Sequence, residues 1–308
     1  AYKTYTENQL FSPEISTTTG YSKLYVNAGK VTNKGIELAL GFKQNIGPVD
    51  WKTTLLWSLN RNRIDQLLPE YTNEELGVTV HLDEMDVYSL GGAKQRLTVG
   101  GSMGDVYVNT MRTDEHGHIW MNSMTGTLET DKNNYVYAGN TNPKYTLSWR
   151  NEFNWKGISL GFMLNARVGG IGVSATQAVM DYYGVSKTSA EARDNGGVKV
   201  NGQMIDAQTW YQTIGANGTG YVGSMYVYSM TNVRLGELTL GYDIPINKWC
   251  KWISGLNVSF VGRNLWMLYC KAPFDPESTA STGTYNQGMD YFMQPSLRSM
   301  GFSAKISF

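Results

Sequence analysis

From Ser299 to Phe308 the chain alternates without a break. Met300, Phe302, Ala304, Ile306 and Phe308 fall on one side of an extended strand, against Ser299, Gly301, Ser303, Lys305 and Ser307 on the other. A period of two sends successive side chains to opposite faces, so this segment separates an apolar environment from a polar one. Roughly 9 to 11 such residues are what a tilted strand needs to cross a bilayer. The same pattern recurs upstream. Ile36, Leu38, Leu40 and Phe42 oppose Glu37 and Lys43, and after Asn45-Ile46-Gly47-Pro48 the series Trp51, Thr53, Leu55, Trp57 and Leu59 opposes Lys52, Thr54, Ser58 and Asn60. Strand, turn, strand of this kind is a hairpin.

Two further hairpins are predicted. Tyr145, Leu147, Trp149, Asn151, Phe153 and Trp155 share one face. Lys156-Gly157 turns, and Ile158, Leu160, Phe162, Leu164, Ala166 and Val168 return on the same face. A two-residue turn fixes that register. Leu238 to Ile244 and Leu256 to Arg263 form the next pair, with Pro245 ending the first strand. A weaker strand is expected from Thr4 to Phe11, with a turn-rich stretch from Ser12 to Asn33. Between the hairpins lie long polar excursions. Residues 67–143 should carry hairpins of their own, one turning at Asp114-Glu115-His116-Gly117, because structureless loops above about 15 residues are uncommon. Residues 169–230 contain a short predicted helix at Ser189 to Asp194, and residues 271–295 lead into the last strand. Short turns therefore alternate with long loops. That asymmetry, with eight strands, predicts an all-β transmembrane antiparallel β-barrel carrying long extracellular loops.

The composition fits. Among 308 residues there are 34 Gly, 20 Tyr, 9 Trp and 9 Phe, which suits strands, polar turns and aromatic belts. The 26 basic residues balance 26 acidic ones, so the charge gives no reason to expect nucleic acid. No apolar run approaches the ~18 residues of a membrane helix. The N-terminal residues lack the charged and apolar regions of a signal peptide. Trp51, Trp155, Trp249 and Trp252 all sit beside the predicted short turns, where an indole can lie in the headgroup layer with its N–H wet. The strand-separated Cys250 and Cys270 are predicted to be free thiols.

No catalytic constellation is visible, so the chain is read as not an enzyme. Gly100-Gly101-Ser102-Met103-Gly104 matches a nucleophile elbow, but a predicted strand follows where the elbow needs a helix. His116 and His118 lack a third placed ligand. Asp83, Glu84 and Asp86 lack the spacing of a calcium loop. Gly169-Gly170-Ile171-Gly172 is not followed by a predicted helix N-terminus and so cradles no phosphate. No metal or cofactor is expected.

Several phrases carry a family resemblance: Asn27-Ala28-Gly29-Lys30-Val31-Thr32-Asn33-Lys34-Gly35-Ile36-Glu37, Gly139-Asn140-Thr141-Asn142-Pro143, Tyr182-Tyr183-Gly184-Val185-Ser186 with Ala192-Arg193-Asp194-Asn195-Gly196-Gly197-Val198, Val233-Arg234-Leu235 with Leu240-Gly241-Tyr242-Asp243-Ile244-Pro245, Gly262-Arg263-Asn264-Leu265, and Asp275-Pro276-Glu277. In this order they resemble the C-terminal part of SusC/RagA-like TonB-dependent transporters of Bacteroidota. The resemblance implies that residues 1–308 supply about eight strands of a 22-stranded outer-membrane barrel, without the plug domain, the TonB box and the N-terminal strands. It implies import of a nutrient, an oligosaccharide (glycan) first and an oligopeptide as the alternative. It implies as partners a SusD-like surface lipoprotein acting as a lid, TonB acting through the missing N-terminal part, and outer-membrane lipid. Phe308 would then be the terminal aromatic read by the assembly machinery. Candidate ligand contacts are aromatic and long polar side chains on the loops and upper lumen: Trp120, Asn165, Arg167, Tyr183, Trp210 and Tyr211. Two other classes are a stand-alone eight-stranded barrel and a soluble lectin-like β-sandwich.

Overall fold

The computed structural model describes residues 1–11, 25–74, 77–122, 127–218, 220–246, 249, 252–278 and 286–308. Eight antiparallel strands form one continuous sheet in chain order: β1 (Tyr2–Phe11), β2 (Val26–Ile46), β3 (Val49–Gln66), β4 (Tyr145–Trp155), β5 (Ile158–Val168), β6 (Asn232–Ile244), β7 (Gly255–Cys270) and β8 (Ser299–Ser307). β1 and β8 are its two edges. This is the wall of a β-barrel. No helix among the described residues is long and apolar enough to cross a membrane.

The register carries the alternation across the sheet. Leu40 pairs with Leu55, Leu55 with Trp149, Trp149 with Leu164 and Leu164 with Leu235. Two rows below, Leu160, Leu240, Phe260 and Phe302 line up through β5 to β8. All these side chains share a face, and many are open to the surroundings: Leu40 is 53% exposed, Leu240 51% and Phe302 84%. An apolar face this bare is expected of a sheet whose solvent is hydrocarbon, not of one packed on a second sheet.

At the short-turn end, Lys156 (φ 47°) and Gly157 (φ 86°) both take left-handed conformations. Two consecutive positive φ values suit the twist of a two-residue hairpin. Trp155, Trp249, Trp252 and Phe308 are all exposed at this end. The Trp51 indole N–H donates to Asn151 Oδ1 at 3.2 Å. Asn151 is 1% exposed although it lies on the apolar face. Trp51 stacks on Phe153 and Phe153 on Phe162, so a row of aromatic rings flanks the amide.

Three strands run further than the alternation predicted, each for an identifiable reason. β2 begins at Val26, so residues 26–33 are strand and not turn; a register shift at Lys30/Val31 interrupts the pattern there. β6 begins at Asn232, because Gly236 is an extra residue between Leu235 and Glu237 that shifts the phase of the alternation. β7 continues to Cys270 through two more irregularities, one of them at Asn264, which takes φ 51°. Of the two cysteines, Cys270 is a free thiol and Cys250 lies outside the described residues. The predicted turn-rich residues 12–24 also lie outside them.

The well-packed core is in the loops. Residues 67–143 form a hairpin (Leu68–Asn73 with Val78–Leu82) and a four-stranded sheet (Glu84–Leu90, Ala93–Thr98, Asp105–Met111, Thr130–Asn140). Residues 169–230 hold helices α1 (Ala175–Tyr182), α2 (Lys187–Asp194) and α3 (Ala207–Gly215), of which only α2 was foreseen. One cluster joins Ala93, Val106 and Val108 from the first excursion, Val173, Ile214 and Tyr226 from the second, and Met289 from the third. The three loops thus make a single body. Where two of them meet, Gly223 N–H donates to Asn109 Oδ1 at 2.7 Å, and a Cβ on Gly92 would lie 1.9 Å from the Tyr221 carbonyl oxygen.

The facing of the strands can be tested on β8. Phe302→Arg should cost ~2 to 4 kcal/mol near the midplane, whereas Ser303→Arg, on the polar face, should be far milder. The readout is the outer-membrane abundance of folded, heat-modifiable protein. Equal tolerance of the two changes would contradict the assignment.

Candidate functional site

The polar face of the sheet carries a ladder of alternating charges. Lys52 Nζ lies 3.7 Å from Glu152, whose other oxygen takes Arg150 Nε at 2.8 Å. Arg150 reaches over β5 to Glu237 at 3.8 Å, and Glu237 meets Arg263 at 3.8 Å. The reach is possible because β5 offers only Gly161 and Met163 at these levels. Each pair is part-exposed and contributes little to stability, but together they fix a polarised strip along the wall.

Above the strip stand Asn165 and Arg167 on β5 and Arg234 on β6. Arg167 Nη2 donates to the Thr141 carbonyl at 2.6 Å, joining the wall to the first loop. Asn165 lies against Gly236, where a Cβ would come within 2.4 Å of its Nδ2. Arg234 is almost wholly buried and bridges Asp275 at 2.9 Å and Glu277 at 3.2 Å. Two of the short phrases noted in the sequence, Val233-Arg234-Leu235 and Asp275-Pro276-Glu277, therefore meet as one buried clasp that holds the third loop to the wall. Burial of Asp275 opposes its charge. The Ser296 side chain, the N–H groups of Glu277 and Ser296, and Arg234 outweigh that cost and hold the carboxyl down at about 2.

A cleft opens where β3 and β4 part. Their pairing ends at Ser58 and Thr146, while β3 continues to Gln66 on β2 alone. The gap is about 880 Å³ and is lined by Asn60, Asn62, Asn140, Asn142, Tyr137 and Tyr145, among others. Gly100–Gly104 sits at its rim as a turn between strands, and Ser102 donates to Asn62 Oδ1 at 3.3 Å. Asp105 beside it is occupied: Oδ2 accepts from Ser102 N–H and Oδ1 from Asn140 Nδ2. Asn62 and Asn140 are hydrogen-bonded within the protein through both amide atoms and Tyr137 donates to Asp105, so these groups shape the cleft while the Asn60 and Asn142 side chains complete its polar lining.

The six candidate residues fall in three places. Asn165 and Arg167 are on the polar wall. Trp120 and Tyr183 are on the loops: Trp120 lies under the Arg112 guanidinium at 4.8 Å, and Tyr183 is 63% exposed. Trp210, 8% exposed, belongs to the loop core, and Tyr211 packs on the same core. Trp210 is packed within the loop core on α3, which lies against α1 and α2 of the same loop. Sequence reasoning missed the ladder residues Lys52, Glu152, Glu237 and Arg263, and the cleft. The charges were legible from their phase on the strands; the cleft depends on where two strands diverge, which no periodicity reveals.

The remaining motifs are accounted for. His118 Nδ1 lies 3.3 Å from Asp114, and the described residues contain no cluster suited to a metal. Arg96 pairs with Glu84 and Asp86, while His81 pairs with Asp83. After Gly169–Gly172 a helix does start, at Ala175, contrary to expectation. Its N-cap Ser174 takes the Gln177 N–H at 3.0 Å and donates to Asp290 at 2.5 Å, so a carboxylate already sits there.

No family model matches the chain. It is 23% identical over 337 aligned positions to TonB-dependent receptor P3 of Formosa agariphila, covering 100% of this chain and 32% of that protein. It is 22% identical to TonB-dependent receptor P26 of the same organism, again covering 32% of it. Among solved structures it is similar to the RagAB peptide transporter (TM-score 0.66, 16% identity, 97% of this chain and 32% of that one). It is also similar to the RagAB peptide importer in the open-open state (TM-score 0.61, 17% identity, 99% and 32%). The chain spans about a third of the length of the relatives it matches.

Removing the cation of the clasp should leave Asp275 buried and unpaired, so Arg234→Met should destabilise the third loop by ~3 to 5 kcal/mol. Hydrogen exchange of residues 271–278 and 286–298 at pH 7 should accelerate at least tenfold. The depressed Asp275 pKa gives the sign of the pH effect: its contribution is complete above ~3.9, the value of an unfolded Asp, and is lost as pH falls through about 2. Wild-type protection should therefore persist at pH 5 and fade between pH 4 and 2. Unchanged exchange in the variant would rule the clasp out.

Proposed function

We propose that this chain, part of the barrel of a SusC/RagA-like TonB-dependent outer-membrane transporter, lines the path by which an oligosaccharide is imported. The observation that carries this reading is the cleft of about 880 Å³ at the β3/β4 fork, with Asn60, Asn62, Asn140 and Asn142 beside Tyr137. Planar amides meet vicinal hydroxyls with paired donors and acceptors, and phenol rings stack on sugar faces. On this reading the solute enters between the loop body and a SusD-like lipoprotein, and TonB supplies the work through the part of the transporter outside this chain. The wall itself needs no catalytic group.

A second reading, oligopeptide import, is supported by the ladder from Lys52 to Arg263, because alternating charges suit a zwitterionic chain. The two readings separate in binding measurements on the whole transporter. Neutral oligosaccharides should bind, and Asn60→Ala with Asn142→Ala should weaken them about tenfold, or ~1.4 kcal/mol. Binding of oligopeptides alone would favour the second reading, and binding of neither would overturn both.

The surface offered to the lipoprotein is the turn between α1 and α2, where Tyr183 is 63% and Val185 71% exposed beside each other on the loop body. Tyr183→Ala with Val185→Asp should lower co-purification of the lipoprotein severalfold while the barrel assembles normally. Deleting the loop would be a poorer test, since it would strip the shared core. Undiminished co-purification would place the lid elsewhere.

A further inference from the structure

Three cations stand side by side on the wrong face of the sheet for a water-filled lumen. Lys3 on β1 is the register partner of Lys34 on β2, and Lys34 is the partner of Arg61 on β3. Lys34 is in phase with Ile36, Leu38, Leu40 and Phe42, and Arg61 with Trp57 and Leu59, so the row lies on the apolar, lipid-facing side, where Arg61 and Arg63 also edge the outer side of the β3/β4 cleft. Like charges directly opposed across strands destabilise a sheet. Among the described residues none of the three has an ion-pair partner. The acids above them are engaged: Glu7 holds Lys30 at 2.6 Å, and Asp65 holds Arg63 at 3.6 Å and accepts from Thr32.

Their height is fixed by the strand. From Ile46 at the short turn to Ile36 the apolar face runs ten residue steps, ~33 Å along a strand. Tilted by ~40°, that length covers the ~25 Å apolar band of an outer-membrane barrel. Lys34 is the next residue on the same face, at the start of the loop-bearing, outer headgroup layer. Trp57 and Tyr145, with ring centroids 6.4 Å apart, mark the same interface just below.

We infer that Lys3, Lys34 and Arg61, with Arg63 beside them, form a binding site for the phosphate of an anionic lipid in the outer leaflet. The lipid anion supplies the missing counter-charge, and it does so at a depth where the apolar band keeps the acyl chains against Ile36 and Leu59. Two lysines provide point charges, and the guanidinium a forked donor suited to phosphate oxygens.

The test uses the whole transporter, reconstituted in nanodiscs of phosphatidylcholine with or without a phosphate-monoester lipid, and also in phosphatidylcholine with added inorganic phosphate. Native mass spectrometry after extraction should show the monoester lipid retained by the wild type. Retention should fall at least fivefold in the triple variant Lys3→Gln, Lys34→Gln, Arg61→Gln. The variant with Lys3→Arg and Lys34→Arg should keep it, and the wild-type Tm should rise on adding the lipid. In plain phosphatidylcholine the triple variant should melt no lower than the wild type, because the repulsion is gone. Equal retention by wild type and triple variant would overturn the proposal. So would a Tm rise produced equally by inorganic phosphate, which would make the site one for a soluble anion.

Discussion

In hydrocarbon every backbone N–H and carbonyl has to find its partner within the protein, and the eight-stranded sheet meets that demand by pairing each strand with its neighbour from β1 to β8, leaving the outer edges of β1 and β8 for further strands. Once pairing is compulsory, the two faces are free to differ. One becomes a bare apolar surface with Leu40, Leu240 and Phe302 open to lipid, and the other a strip of charges from Lys52 to Arg263. The usual arrangement of a soluble protein is inverted here. The sheet has little interior of its own, and the packed core lies in the loops above it, around Val106, Val173 and Tyr221.

How much of this was legible in the sequence depended on whether the alternation stayed in phase. The β4–β5 hairpin was readable residue for residue, because Lys156-Gly157 sets its register and nothing interrupts it. β6 was half read: a single extra residue at Gly236 moves Val233 and Leu235 out of phase with Leu238 and Leu240, and the strand looks like loop up to that point. β2 and β7 were truncated by similar irregularities near Lys30 and Asn264. The α1 and α3 helices were missed because each is short and lies among glycines and asparagines, so eight or nine residues give little periodicity to see.

The site was legible in part, and for the same reason. The polar-wall position of Asn165 and Arg167 follows from their phase on β5. Trp210 was chosen for its chemistry, yet on α3 it is turned into the loop core. The clasp of Arg234 with Asp275 and Glu277 could be noticed as phrases but not as a contact, since 41 residues separate Arg234 from Asp275.

The joining of Gly92 to Tyr221 and Gly223, of Ser174 to Asp290 and of Gln95 to Asn286 has an evolutionary consequence. Loops ordinarily vary and tolerate insertions and deletions more freely than the elements they connect. Here each loop is folded on the other two, so a graft of one alone would leave Ala93, Val106 or Val173 facing water. Viable variation is expected to arrive by point changes on the loop surface, or by inheritance of all three loops as one cassette.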